Sequence, residues 1–277
     1  MQQLIKNKIG IGLITCDRND FFKKSYASVL KNNIGLEIVV VDDGVDTNVQ
    51  DQIKENTHFI KTKGKTGVGA AKNNALKYLI ETGCEHIFLM EDDIEILDQK
   101  VFNLYIEASN KTGIKHFNFG LHGNHNRNYI GQPTPRKIVD YNDNCKIVLY
   151  PNILGAFSYY HIDTLNAVGL MDEQFYNALE HVDHSYQIIK AGYHPYFRWF
   201  ADVDGAQDCL KDIVPDHLNS KIRSEEDFMK LFMENHEKFV KKNNFAVVFG
   251  YGPPENEHQE EAVVENLKEI WKSHHQK

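Results

Sequence analysis

Apolar residues come in short unbroken blocks along this chain, each closed by a polar cluster and followed by a stretch with helical spacing. Ile9 to Thr15 reads as a first buried strand, with Gly10 and Gly12 permitting close backbone approach. It ends in Thr15-Cys16-Asp17-Arg18-Asn19, and a helical pattern runs from about Phe21 to Leu30. Glu37 to Val41 is a second strand, closed by Asp42-Asp43-Gly44. A short helix around Val49 and Ile53 then leads to a third strand, His58 to Lys61. Val68, Ala71, Ala75 and Leu79 recur at core spacing on the next helix. Ile87 to Met90 is a fourth apolar block, and it runs straight into Glu91-Asp92-Asp93 before apolar character resumes at Ile94 and Ile96.

Beyond it the pattern predicts a helix from about Asp98 to Ser109, a strand at Lys115 to Phe119, and a long loop over 120–135. A strand at Cys145 to Tyr150 and a short helix from about Asp163 to Val168 follow. A helix opening near Asn177 ends at Gly192. Pro195 to Phe200 reads as a strand and Asp202 to His217 as an irregular polar stretch. A helix from about Glu225 to Lys241, with Phe228, Phe232, Phe239 and Val240 inward, precedes a last strand at Asn244 to Gly250. Alternating strands and helices of this kind predict an α/β fold, a mostly parallel sheet covered on both faces. Gly252-Pro253-Pro254 marks a boundary, dividing the chain into a body, 1–250, and a helical tail, 251–277. Ala262, Val263, Leu267, Ile270 and Trp271 make that tail amphipathic, suited to docking on the body, on a second copy or on another partner.

The acid triplet is the chain's most informative polar feature. Acids that follow a buried strand directly lie at the sheet edge where open α/β folds bind ligands. Carboxylates held so close raise each other's pKa unless a cation shares them, and all-oxygen donors suit Mg²⁺ or Mn²⁺. The segment Lys63-Gly64-Lys65-Thr66-Gly67 opens a helix whose free N–H groups would favour an anion, though it lacks the glycine spacing of a Walker A loop. His122 and His125, in the long loop, read either as contacts to substrate or metal or as exposed side chains. In the helix near Asn177, that residue as N-cap puts Glu180 at the third helical position, a capping box. Val182, Tyr186 and Ile189 share its core face. Glu180, Asp183, His184 and Gln187 lie opposite, on a face that is either solvated or the wall of a cleft, with His181 at the boundary.

Composition narrows the field. The 277 residues carry a formal charge of −8, which gives no reason to expect nucleic-acid binding, and no Lys/Arg run suggests an anionic membrane surface. The four cysteines show no Cys-X-X-Cys pairing and read as reduced thiols. The first residues lack the apolar core of a signal peptide and no apolar run is long enough to span a bilayer, so the expected location is the cytoplasm.

Five blocks in order resemble family 2 nucleotide-sugar glycosyltransferases of the GT-A fold. They are Thr15 to Asn19, Asp42-Asp43-Gly44, Gly67 to Asn73, Glu91-Asp92-Asp93, and Gly155-Ala156-Phe157 through Glu180-His181-Val182-Asp183. The resemblance implies that Thr15, Asp17 and Arg18 surround the base and ribose of a nucleotide. It implies that Asp42, with Asp43 beside it, accepts hydrogen bonds from the uracil or ribose, while Gly67, Lys72 and Asn73 help to hold the nucleotide. Asp93 would be a metal ligand within an Asp-X-Asp-like motif that begins at Glu91, with Asp92 near the sugar or ribose. His217 resembles a further metal ligand of some relatives. Where the family has Glu-Asp this chain has Glu180-His181, so the general base is one of Asp183, His181 and Glu180. Asp183 is favoured because it faces away from the apolar stripe, while His181 occupies the position at which the resemblance expects the base, and the assignment stays open.

The function implied is metal-dependent, inverting transfer from a nucleotide sugar, with a uridine diphosphate donor expected, to a glycan or related hydroxyl acceptor in surface polysaccharide synthesis. A nucleotidyltransferase is the enzymatic alternative, although Thr15 to Asn19 has no glycine-rich basic loop. The alternative from another class is a catalytically inactive nucleotide-sugar-binding module.

Overall fold

The computed structural model describes residues 8–45, 47–142, 145–213, 227–247 and 259–276. Strands β1 (Ile9–Thr15), β2 (Glu37–Asp42), β3 (Thr57–Lys61) and β4 (His86–Glu91) run parallel in the order β3-β2-β1-β4. The unbroken apolar runs have a direct cause: side chains along these strands enter two apolar layers in turn. Phe88 and Met90 of β4 join one, with Ile11, Leu13 and Val40, while Ile87 and Leu89 join the other, with Ile14, Val39 and Val41. Helices α1 (Asn19–Lys31) and α3 (Lys100–Thr112) contribute to the first layer and α2 (Val68–Glu81) to the second. A Cβ on Gly12 would lie 2.6 Å from that of Ala75, so α2 rests directly on the backbone of β1, as the glycines predict.

Two further strands, β6 (His116–Asn118) and β9 (Phe157–His161), complete the six-stranded sheet, with β9 antiparallel between β4 and β6. The pattern along the chain did not mark β9, because Ser158 and His161 interrupt its apolar run. Their polar atoms are met inside: Ser158 accepts from Asn118 Nδ2 at 2.9 Å, and His161 Nδ1 accepts from the Asp163 amide at 3.2 Å. Helix α4 (Ile162–Val168) follows at once. A three-stranded sheet joins β7 (Lys137–Asp140), β8 (Lys146–Tyr150) and β10 (Phe200–Val203). β7 was not anticipated, being short and half-exposed. The strand expected at Pro195 to Phe200 begins only at Phe200, since Arg198 sits at a φ of 67°. The polar stretch after it is partly ordered as β11 (Leu210–Asp212), paired with β5 (Ile94–Ile96). Residues 244–247 are not a strand, and 248–250 and the Gly252-Pro253-Pro254 boundary lie outside the described residues.

Helix α5 (Glu180–Lys190) packs with α4, and α6 (Phe228–Asn243) buries Phe239 against Phe175 and Phe245. Phe228, Phe232 and Val240 are only half-buried. Helix α7 (Glu260–His275) docks on α3, and its Val263, Leu267 and Ile270 belong to the same apolar layer as Tyr105 and Ile114. Trp271, expected on that face, stays 41% exposed. All four cysteines are free thiols, and among the described residues no helix is long and apolar enough to cross a membrane.

The core also holds neutral histidines. His194 is fully buried; its Nδ1–H donates to Pro195 O at 2.8 Å while Nε2 accepts from the Ala201 amide at 3.1 Å, a pattern only the uncharged ring can make. Burial pushes the imidazoles of His86, His161 and His194 down to about 4. Below about pH 6.5 the unfolded chain therefore binds more protons at these sites than the folded chain, and stability drains away as pH falls toward about 4. Asp202 and Asp92, pushed up by burial to about 6 and about 7, act in the opposite sense with Asp93 and His122, which are also raised, while His116 and His184, lowered by burial, add to the loss. The unfolding midpoint is expected to fall between about pH 7 and pH 5, with the His194 ring still neutral by NMR at about pH 5.5. A protonated His194 at that pH would contradict this account.

Candidate active site

β1, β2 and β4 are parallel and end together, so the polar residues that follow them reach one edge of the sheet. A cleft of about 440 Å³ opens there, lined at one end by Thr15, Arg18, Asp43, Glu91, Asp92 and Asp93. Thr15 Oγ1 donates to Asp92 Oδ2 at 2.6 Å. The Arg18 guanidinium lies over the Phe21 ring, with Nη1 3.3 Å from Asp92 Oδ1 and 3.4 Å from Asp93 Oδ2. Burial pushes the Asp92 carboxyl up to about 7, against the pull of Arg18, and burial likewise raises Asp93. Asp93 Oδ1 is buried without a hydrogen-bond partner.

Not every strand-end acid faces the cleft. The Asp42 carboxylate is filled by the Gly44 amide at 2.9 Å, Lys61 Nζ at 2.8 Å and the Thr47 hydroxyl, and Asp42 is not among the lining residues. Asp17 is likewise outside the lining, its Oδ1 accepting from the Val45 amide at 2.7 Å. Asp43 does reach the cleft, but it also serves α2: it accepts from the amides of Thr66 at 2.9 Å and Gly67 at 3.0 Å. Asn177 Oδ1 takes the Val68 amide at 3.0 Å. Three N–H groups at this helix start, those of Thr66, Gly67 and Val68, are thus met by protein oxygens. The expected capping box does not form, because Asn177 caps α2 instead. Asn177 and Leu179 both have positive φ, and α5 starts at Glu180 itself.

Lys72, on α2, is fully buried. Its Nζ lies 2.6 Å from Glu91 Oε1, 3.0 Å from Gly155 O and 3.6 Å from Glu180 Oε1. Burial alone would lower its pKa, but the two carboxylates outweigh that and hold it above the ordinary lysine value. Glu180 Oε1 also lies 3.0 Å from His181 Nδ1. Despite its burial, His181 and Lys72 hold Glu180 down at about 2. Glu180 and His181 line the cleft, whereas Lys72 stands behind it. Asn73, expected near a nucleotide, instead clamps the chain at Met171 through both its amide atoms and reaches Glu173 Oε1 at 2.9 Å.

The family model of glycosyl transferase family 2 matches residues 11–162, more than half of the chain. The chain belongs to that family. It is a glycosyltransferase of the GT-A fold. TarS from S. aureus superposes with a TM-score of 0.55 at 15% identity, over 96% of this chain and 43% of that one. GalNAc-T7 with UDP, GalNAc and Mn²⁺ superposes at 0.59 with 12% identity, over 84% and 47%. TarS 1–349 in complex with UDP gives 0.54 at 16% identity, over 98% and 72%. This glycosyltransferase spans less than half the length of full TarS, and at such identities the likeness is one of fold. No curated protein sequence matches it significantly.

The glycosyltransferase does not bring Asp183 into its cleft. That carboxylate, 1% exposed, is held by Lys242 Nζ at 2.7 Å and Asn243 Nδ2 at 3.0 Å, both on α6. Of the polar face of α5, Asp183 and Gln187 meet α6 and His184 Nε2 donates to Gly169 O, while Glu180 lines the cleft. Both loop histidines, His122 and His125, line the cleft, and His122 Nδ1 lies 2.7 Å from Asp212 Oδ1. Burial disfavours its charged form, but Asp212 and Asp93 raise it to about 8. Nothing in the sequence linked His122 to a partner 90 residues away. His217 lies outside the described residues. Among those described, no three His, Cys, Asp or Glu side chains converge as a metal cage. A Mg²⁺ or Mn²⁺ site on a phosphate substrate needs only one or two carboxylates, so the orphaned oxygen of Asp93 fits one. Glu91 fits less well, with Oε1 already on Lys72.

Breaking the Asp183–Lys242 contact should therefore act on stability. Asp183→Asn is expected to cost roughly 1–3 kcal/mol in denaturant unfolding while the rate per folded molecule changes less than about threefold. A hundredfold loss of rate at unchanged stability would return Asp183 to the reaction.

Proposed function

We propose that this glycosyltransferase takes its sugar from a uridine diphosphate donor, with Mn²⁺ or Mg²⁺, and transfers it with inversion to a hydroxyl of a glycan or related acceptor in surface polysaccharide synthesis. The observation that carries the metal is Asp93 Oδ1, a buried carboxylate oxygen with no protein partner at the acidic end of the cleft. The donor class is supported by the fold neighbours solved with UDP, with UDP-GlcNAc, and with UDP, GalNAc and Mn²⁺.

Asp93 would hold the cation together with the donor diphosphate. When bound, the cation neutralises charge developing on the departing phosphate, worth several kcal/mol of barrier. The chain's own groups divide the remaining work. Arg18 neutralises Asp92 and Asp93 from the β1 side, and Lys65 adds a second positive charge to the lining. Thr15 fixes one oxygen of Asp92. The first turn of α5 presents Glu180 and His181 to the same cleft, where an acceptor hydroxyl can lose its proton.

UDP with Mn²⁺ is expected to raise the melting temperature, since a ligand at 100 times its dissociation constant adds about 2.7 kcal/mol. Asp93→Asn should remove most of the Mn²⁺-dependent part of that shift, and UDP release from UDP-sugars should fall at least about a hundredfold. Undiminished release in the presence of a chelator would overturn the role of the metal.

A further inference from the structure

We propose that His181 is the general base of the transfer, held in its working tautomer by Glu180, and that buried Lys72 joins this pair to Glu91 at the donor end of the cleft. The proposal rests on the reading of the cleft as a donor site, and it assigns the proton acceptor that reading leaves open.

Three positions offer a base, and geometry separates them. Asp183 is closed off by Lys242 and Asn243. Glu180 is 4% exposed, and its Oε1 already serves both His181 Nδ1 and Lys72. With the Lys72 ammonium beside it, this carboxylate takes up a proton poorly. His181 remains. Its ring lines the cleft and is 23% exposed, and Nδ1 is the nitrogen turned to Glu180. With an ionised carboxylate as acceptor, Nδ1 must carry the hydrogen, which leaves the Nε2 lone pair for substrate.

The ring is also held sterically. A Cβ on Gly155 would lie 2.9 Å from His181 Cγ and 3.1 Å from Lys72 Nζ, so only a glycine backbone can close over both. Around the pair stand Lys72 on α2, Glu91 on β4, Tyr160 on β9 and His116 on β6. Lys72 and Glu91 oppose each other in charge, and Glu180 remains as the counter-ion for an imidazolium.

In the step itself, the acceptor oxygen forms its bond to the anomeric carbon as that carbon's bond to the diphosphate oxygen breaks. The electron pair leaves with the nucleoside diphosphate. The hydroxyl proton passes to His181 Nε2, and the imidazolium formed is neutralised by Glu180. His181 is thus a catalytic residue, while Glu180 and Lys72 act through it as positioning residues.

The test uses the full chain with Mn²⁺, a panel of UDP-hexoses and UDP-N-acetylhexosamines, and water as the acceptor. UDP release is followed across pH, and UDP affinity is measured by calorimetry. His181→Ala and the bulk-preserving His181→Asn should lower kcat about 10²–10⁴-fold with UDP affinity changed less than about threefold. His181→Asp should recover part of the rate and move the acid limb of the profile down by more than about one pH unit, as free imidazole and carboxylate values of about 6.5 and 3.9 require. Glu180→Gln should lower kcat at least about tenfold and also move that limb to lower pH, because the imidazolium loses its counter-ion. A wild-type rate in His181→Ala, or an unmoved limb in His181→Asp, would overturn the assignment while leaving the donor reading intact. Failure of the unaltered chain both to bind UDP and to release it from any donor would overturn the donor reading, and the assignment with it.

Discussion

A lysine ammonium shut away from water is tolerable only if opposite charges meet it closely and its hydrogens find acceptors. Lys72 meets that condition with parts of the chain that are far apart in sequence: Glu91 at the end of β4, the carbonyl of Gly155 before β9, and Glu180 at the first residue of α5. Neither carboxylate can shift without weakening the compensation of a buried charge, roughly 3–5 kcal/mol when one partner of a buried pair is removed, and movement of the carbonyl would cost the ammonium a hydrogen bond. The position of α5 against the sheet is therefore governed by electrostatics as much as by packing. His181, next to Glu180, is carried along with it.

This arrangement links two groups of residues that line the cleft. Glu91 immediately precedes the pair that Arg18 contacts, and Glu180 lies beside the His181 ring. A change in charge at Asp92 or Asp93 is felt at Glu91, whose own balance with Lys72 is shared by Glu180. The acids after β4 and the first turn of α5 are in this way parts of one buried charge system.

How much of this was legible in the sequence depended on the kind of signal. β1, β2 and β4 declared themselves because strands buried on both faces are mostly apolar, and acids following one of them had to surface at the ligand edge. Asp42 and Asp43 show where that logic stops. Neighbours on a strand point opposite ways, and the pattern did not say which one would reach the cleft. The polar face of α5 failed for another reason. A run of charges looks the same whether water or another helix covers it, and α6, whose Lys242 lies 59 residues beyond Asp183, is invisible to local periodicity. Asn177 was a sound cap for a helix, but the helix it caps begins 109 residues earlier.

The Asp43 carboxylate has one more consequence. By filling the amides of Thr66 and Gly67, with Asn177 on Val68, it sets a carboxylate of the protein's own at the electropositive end of α2. A diphosphate entering this cleft would meet that carboxylate at the helix start, unlike one bound at a phosphate-binding glycine loop. On the proposed reading its hold on the protein would rest on side-chain cations and on the ion that travels with it. Such a grip would weaken as soon as that ion departs, which would favour turnover over tight retention of the spent nucleotide.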